Sequence, residues 1–236
     1  MQRPRRFVLK SILALLFAIL SAAAFWFGLV PQRLSPFAPL SLDEPSAWFV
    51  DLRLSALRRD KPLCNAVLKA PHIVAHGIDD FTTDKGCGWS NGVRVSQIAG
   101  ADLPIGQITC EMAAALALWL EYEVQPLAAS MLGTTVTRVR QMGSYACRNI
   151  IGNRSFRNVR SQHAGANALD IGGFSLADGR TISIVRDWGR ARAESRFLEA
   201  IHQRSCRYFR VSLSPNFNAA HRDHFHFDRG PLWRCR

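Results

Sequence analysis

No two cysteines of this chain form a C-x-x-C pair, which excludes a zinc ribbon and a thioredoxin-type redox motif. No internal repeat and no long low-complexity tract is present, so repeat arrays and compositionally biased segments are excluded. Gly and Pro number only 16 and 11 in 236 residues, which rules out a collagen-like or a disordered chain. Charge is missing from two places. Nothing from Ser11 to Val30 is charged, and from Arg138 to Arg160 six arginines run without one acid.

What is present fits one domain behind a hydrophobic leader. At 48% hydrophobic residues the chain can build a core, and its net charge of +12 draws it to polyanions. Charge does not choose among nucleic acid, anionic headgroups and acidic wall polymers; the compartment must.

The uncharged stretch SILALLFAILSAAAFWFGLV is 20 residues long, enough at about 1.5 Å each to cross a hydrocarbon core. Arg3, Arg5, Arg6 and Lys10 precede it without an acid, which keeps the N-terminus cytoplasmic and sends the rest outward. A cleaved signal peptide is the competing reading, with Ser21-Ala22-Ala23-Ala24 as the cleavage region. Phe25-Trp26-Phe27 carries the apolar run past that point and suits a membrane interface. The expected organisation is a basic cytoplasmic tail (1–10), a transmembrane anchor (11–30), a linker (31–60) with Pro31, Pro36, Pro39 and Pro45, and one folded domain (61–236). The expected location is the inner membrane, single-pass, with the domain in the periplasm. There, six dispersed cysteines read as disulfides. Pairing of sequence neighbours is expected: Cys64–Cys87, Cys110–Cys147 and Cys206–Cys235.

Helices are expected at Glu111 to Val124, capped by Thr109 and interrupted by Pro126, and at Arg192 to Gln203. A shorter helix between Ala47 and Leu63 should break at Asp60-Lys61-Pro62. Strands are expected at Ile73–Ala75, Val93–Val95, Leu169–Phe174, Thr181–Val185, Phe209–Leu213 and His224–Asp228. Together they indicate an α+β fold: a small antiparallel sheet with flanking helices, preceded by one N-terminal transmembrane helix.

Chemistry concentrates in two segments, Ser161–Asp170 and His221–Asp228, which hold four of the seven histidines. His163 and Asp170 would lie roughly 10 Å apart on a helix and on opposite faces of a strand. Ligands of one zinc sit about 2 Å from it, so the chain must turn between them, as Gly165 and Asn167 permit. On a strand, His224, His226 and Asp228 would share one face with Arg222, while His221, Asp223, Phe225 and Phe227 would take the other. Two imidazoles and a carboxylate suit a catalytic zinc with one open position. The arginine run reads either as a solvated basic face or as a rim that attracts carboxylates.

The region from Cys64 to Cys235 resembles the bacterial extensin-like family in Tyr145-Ala-Cys-Arg148, the Ser161–Asp170 run, Gly172-Gly-Phe174 and His221-x-Asp-His-Phe-His226. These motifs are similar to those of D-Ala-D-Ala metallopeptidases and murein endopeptidases, whose S-x-H-x-x-G-x-A-x-D pattern is met by Ser161, His163, Ala168 and Asp170. Ala166 stands where that group has Gly. The resemblance implies His163, Asp170 and His226 as zinc ligands and Asp223 or His224 as general base. It also implies Arg148 as the cation for substrate or oxyanion, with Ser161 and His221 at substrate-binding positions. The implied activity is a zinc-dependent hydrolase of the cell envelope acting on amide bonds of peptidoglycan stem peptides. The alternative is a non-catalytic, metal-stabilised envelope protein that binds wall polymers or a protein partner. Nucleic acid is not an expected partner, because the expected compartment lies outside the cytoplasm.

Overall fold

The computed structural model describes residues 3–31, 34, 38–43, 48–152 and 154–236. In helix α1 (Arg3–Trp26) the stretch Phe7–Trp26 has no buried residue and a mean hydropathy of 2.3. It is long and apolar enough to cross a membrane, and a signal sequence would look the same. The apolar helix thus lies a few residues earlier than the expected 11–30, and Gly28 turns the chain out of it.

The expected linker is corrected at its C-terminal side. Leu40 and Leu42 are buried, and α2 (Val50–Ala56) puts Val50 and Leu54 into the core. Pro36 and Pro45 lie outside the described residues. Pro62 does not simply stop a helix; it sits in the first turn of α3 (Lys61–Val67), where a missing N–H costs nothing, behind the Asp60 cap.

Five strands follow: β1 (Ile73–Gly77), the small hairpin β2 (Phe81–Thr82) and β3 (Gly88–Trp89), then β4 (Gly92–Ile98) and β5 (Ala101–Thr109). The β4–β5 turn is two residues, Ala99 (φ 53°) and Gly100 (φ 74°), the positive-φ turn whose twist matches a hairpin. Thr109 caps α4 (Cys110–Trp119) as expected, and every residue of that helix is buried. A π-helical turn (Leu120–Val124) leads into α5 (Gln125–Leu132). Pro126 therefore restarts the helix rather than ending it, and Gly133 in the left-handed region closes it.

The remaining elements are β6 (Val136–Gly143), β7 (Ala168–Leu176), β8 (Thr181–Ser183), α6 (Ile184–Asp187), α7 (Ala193–Ser205), β9 (Val211–Leu213), β10 (Phe225–Asp228) and β11 (Arg234–Cys235). The chain is thus a mixed helix-and-sheet structure, with strands placed before α4 as well as after it. The expected small sheet is overturned. Among the described residues the main sheet has nine strands in the order β1-β4-β5-β6-β7-β10-β9-β11, with β8 on the far half of β7. Nor is it wholly antiparallel, since β5–β6 and β9–β11 are parallel.

The disulfides are Cys64–Cys110, Cys87–Cys147 and Cys206–Cys235, with no free cysteine. The last pair is as expected. The first two correct the neighbour pairing, because α3 packs on the N-terminus of α4 and the β2–β3 hairpin lies against the segment after β6.

Alternation along two strands sets up the site. Leu169 and Ile171 of β7, with Phe225 and Phe227 of β10, face the helical layer, where Trp119 meets Phe227 edge to face. Asp170, His226 and Asp228 therefore point to the opposite face.

Candidate metal centre

β7 and β10 are antiparallel neighbours with Asp170 directly opposite His226. Their side chains meet, His226 Nδ1 lying 2.9 Å from Asp170 Oδ1. His163 arrives from a short 3-10 turn, Gln162–Gly165, that precedes β7. Several hydrogen bonds hold this turn. Ser161 Oγ accepts from the His163 N–H at 3.3 Å, Thr109 donates to Asn167 at 2.9 Å, and Asn167 donates to Gln162 at 3.0 Å. The turn closes on Ala166 with φ 49°, a left-handed conformation that favours Gly. His163 Nε2 then lies 3.2 Å from both Asp170 Oδ2 and His226 Nδ1. Ligand atoms of His163, Asp170 and His226 all fall within 4.8 Å of one another.

The outer ring nitrogens decide what this cluster can hold. His163 Nδ1 faces the Ser144 carbonyl at 3.3 Å, and His226 Nε2 faces Asp228 Oδ2 at 3.0 Å. Each of these partners only accepts, as does Asp170 on the inward side, so an outward N–H on each neutral ring is one of the tautomers the geometry allows. In that tautomer the inward atoms are two imidazole lone pairs and a carboxylate, a set that fits a cation. Burial opposes an imidazolium at His226, but the Asp170 and Asp228 carboxylates outweigh it and push its pKa up to about 9. Burial likewise opposes the Asp170 carboxylate, yet hydrogen bonds from His163 and His226 hold its pKa far below the usual range.

His224 precedes β10. Its Nδ1 is 2.9 Å from Asp223 Oδ1, and its Nε2 is 3.6 Å from Asp170 Oδ1. The strand begins at Phe225, so Asp223 and His226 are free of the opposite-face constraint that a straight strand would impose. Asp223 turns toward His224, whose hydrogen bond lowers the carboxyl pKa. The shared face expected for Arg222 is overturned, because Arg222 lies before the strand and is exposed.

The family model described as Extensin-like protein C-terminus matches residues 62–236. The chain belongs to this family. No curated protein and no solved structure matches the chain at a significant level.

In this extensin-like domain the cluster lies in a cleft of about 400 Å³. His221 sits in it, its ring 5.3 Å from that of His224 and 5.7 Å from that of His226, with Nδ1 on Asn218 Oδ1 at 2.7 Å. Burial, then the neighbouring His226 and His224, push its pKa down to about 4, which leaves the ring neutral. Arg148 lines the same cleft with no carboxylate in ion-pair range among the described residues; its one hydrogen bond, to the Asn149 carbonyl, is 3.4 Å long. Ser161, besides capping the turn, forms part of the cleft wall. All eight residues singled out in the sequence are thus near one another. The arginine run divides. Arg138 pairs with Asp102, Arg140 reaches the Gly172 carbonyl, and Arg148 and Arg160 line the cleft.

The sequence reading assigned no role to Asp228, Ser144 or Asn218. Asp228 had a signal, since it lies two residues beyond His226 on the same strand face. The Ser144 carbonyl and Asn218 had none, because what matters there is where a loop passes. The largely apolar cleft walls, among them Ile150, Leu213 and Phe217, were also not foreseen.

Proposed function

We propose that the chain is a zinc-dependent hydrolase of the cell envelope, a peptidase that cleaves amide bonds in peptidoglycan stem peptides. The carrying observation is the convergence of ligand atoms of His163, Asp170 and His226 within 4.8 Å, with an acceptor behind the outer nitrogen of each ring. The similarity of the surrounding motifs to D-Ala-D-Ala metallopeptidases and murein endopeptidases supplies the substrate class. Zinc in such a site supplies a Lewis acid for a carbonyl oxygen and lets water lose a proton near neutral pH.

The chain's own residues do the rest. His224, donating Nδ1–H to Asp223, keeps a lone pair at Nε2 beside Asp170 and takes a proton there. Asp223 fixes its tautomer and ring plane. Arg148 offers an uncommitted guanidinium for a substrate carboxylate or a developing oxyanion. The basic residues in the first turns of α1, Arg3, Arg5, Arg6 and Lys10, orient it as an inner-membrane anchor with the domain in the periplasm, where the disulfides can form.

The test is digestion of purified sacculi by the zinc-loaded full chain in detergent, with released fragments identified by mass spectrometry. Peptide fragments are expected, with one zinc per chain, and none from His163→Ala, which should lose its metal. Full zinc in both His163→Ala and His226→Ala sinks the metal site. Tightly held zinc with no release from any wall fragment favours the non-catalytic, metal-stabilised alternative.

A further inference from the structure

Two loops form the mouth of the cleft, residues 148–160 and 229–236. Both expose large apolar side chains: Ile151 is 59% exposed, Val159 46%, Leu232 53% and Trp233 64%. Side chains of this kind scattered singly need no explanation, but a cluster around one opening marks a contact surface. Arg148, Arg160 and Arg234 of these loops line the cleft, Arg157 and Arg236 lie beside them in the chain, and neither loop holds an Asp or Glu. Apolar tips ringed by arginine, with a tryptophan at the edge, have the composition of a surface that lies in a headgroup layer.

We infer that the mouth of this cleft docks on an anionic lipid surface, as a membrane contact additional to α1. The inference rests on α1 as a membrane anchor and not on any activity of the centre. The length of chain between anchor and domain supports it. α1 ends at Trp26 and the chain is already buried in the domain at Leu40, so residues 27–39 are the whole tether. Fully extended they reach roughly 45 Å. The domain is therefore held at the bilayer at an effective concentration on the order of millimolar, where even a weak patch engages. A glycan strand would leave Ile151, Val159 and Leu232 in water, whereas a lipid interface covers them and pairs the arginines with phosphates.

The experiment is amide hydrogen exchange on the full chain in nanodiscs of phosphatidylcholine with and without phosphatidylglycerol. Residues 150–160 and 231–236 should exchange several-fold more slowly in the anionic discs, while the β4–β5 hairpin stays unchanged. Leu232→Ser with Trp233→Ser, and separately Ile151→Ser with Val159→Ser, should abolish the slowing. These side chains are exposed, so the folded state should survive, as thermal melts of each variant would check. His163→Ala should retain the slowing, which separates this inference from the metal-centre reading. Equal exchange in the two lipids overturns it. So does slowing that survives both double variants, or slowing that needs added soluble wall fragments, which would assign the surface to a wall polymer.

Discussion

Behind the ring nitrogens of His163 and His226 that face away from Asp170 lie two acceptors, the Ser144 carbonyl and Asp228, and an N–H given to each would leave the inward nitrogens free for a cation. Asp228 is itself fixed by the Gly230 N–H at 2.8 Å. Asp228→Asn removes the charge behind His226 and can accept from only one of its two donors. It should weaken zinc binding about 10–100-fold while the fold survives, which a chelator competition titration would read; unchanged affinity rejects the orienting role. His224 stands nearer the cluster than its partner Asp223. His224→Ala should keep zinc and lose about 10²–10⁴-fold in rate, whereas Asp223→Asn, which disturbs only orientation, should lose less. If Asp223→Asn keeps zinc and is as inactive as His224→Ala, the base is Asp223. A loss of zinc from the Asp223 variant would instead make it a ligand. The resemblance of the two motif segments pointed to these residues, yet the choice between Asp223 and His224 was not legible, since it depends on where β10 begins.

At the scale of elements, α4 enters the core with an acid at its first turn. Glu111 is fully buried, and its carboxylate takes Arg229 Nε at 2.7 Å and Arg58 Nε at 2.8 Å. Arg229 also holds Asp51 of α2 at 2.7 Å and donates to the Tyr208 carbonyl. One buried guanidinium thereby ties α2, α4 and the end of β10 together, immediately beside Asp228. Glu111→Ala strands that charge and should destabilise the fold by about 3 kcal/mol, seen in urea melts; a change under about 0.5 kcal/mol, the usual range of a surface substitution, counts against the network. α7 packs through His202, which lies between Trp188 and Phe225 and shares a hydrogen bond with Ser212 at 3.0 Å. Burial pushes its pKa down to about 4, below the ordinary value of 6.5. The unfolded chain therefore binds this proton first as pH drops. Its contribution is complete above pH 6.5 and is lost as pH falls toward 4, amounting to about 2 kcal/mol at pH 5. His202→Gln should show that much less acid sensitivity between pH 7.5 and 5, and parallel stability profiles would refute the assignment.

Over the whole molecule, the disulfides Cys64–Cys110 and Cys87–Cys147 span 46 and 60 residues. Loops of that size correspond to about 4 kcal/mol each by loop-closure entropy. Protein from its native compartment should show no free thiol after unfolding without reduction, and peptide mapping should recover these two linkages. A Cys64–Cys87 peptide would contradict the fold, because α3 would then have to leave α4.

The sequence by itself determined what local chemistry can encode. It determined the apolar N-terminal helix, the Thr109 cap and the buried run of α4. It also determined strands near 169–174 and 224–228, because period, capping and residue type act over a few residues, while the resemblance of its motifs pointed to the three side chains that converge. Tertiary structure alone decided the rest. The nine-stranded sheet with its two parallel pairings, the disulfide partners, the burial of Leu40 and Leu42 and the orientation of His224 all depend on contacts between segments far apart in the chain. Cysteine spacing holds no distance information, and the start of β10 at Phe225 leaves Asp223 and His224 outside the strand, free of its alternation. The pairing of β7 with β10 puts Asp170 opposite His226, and no local pattern specifies that register.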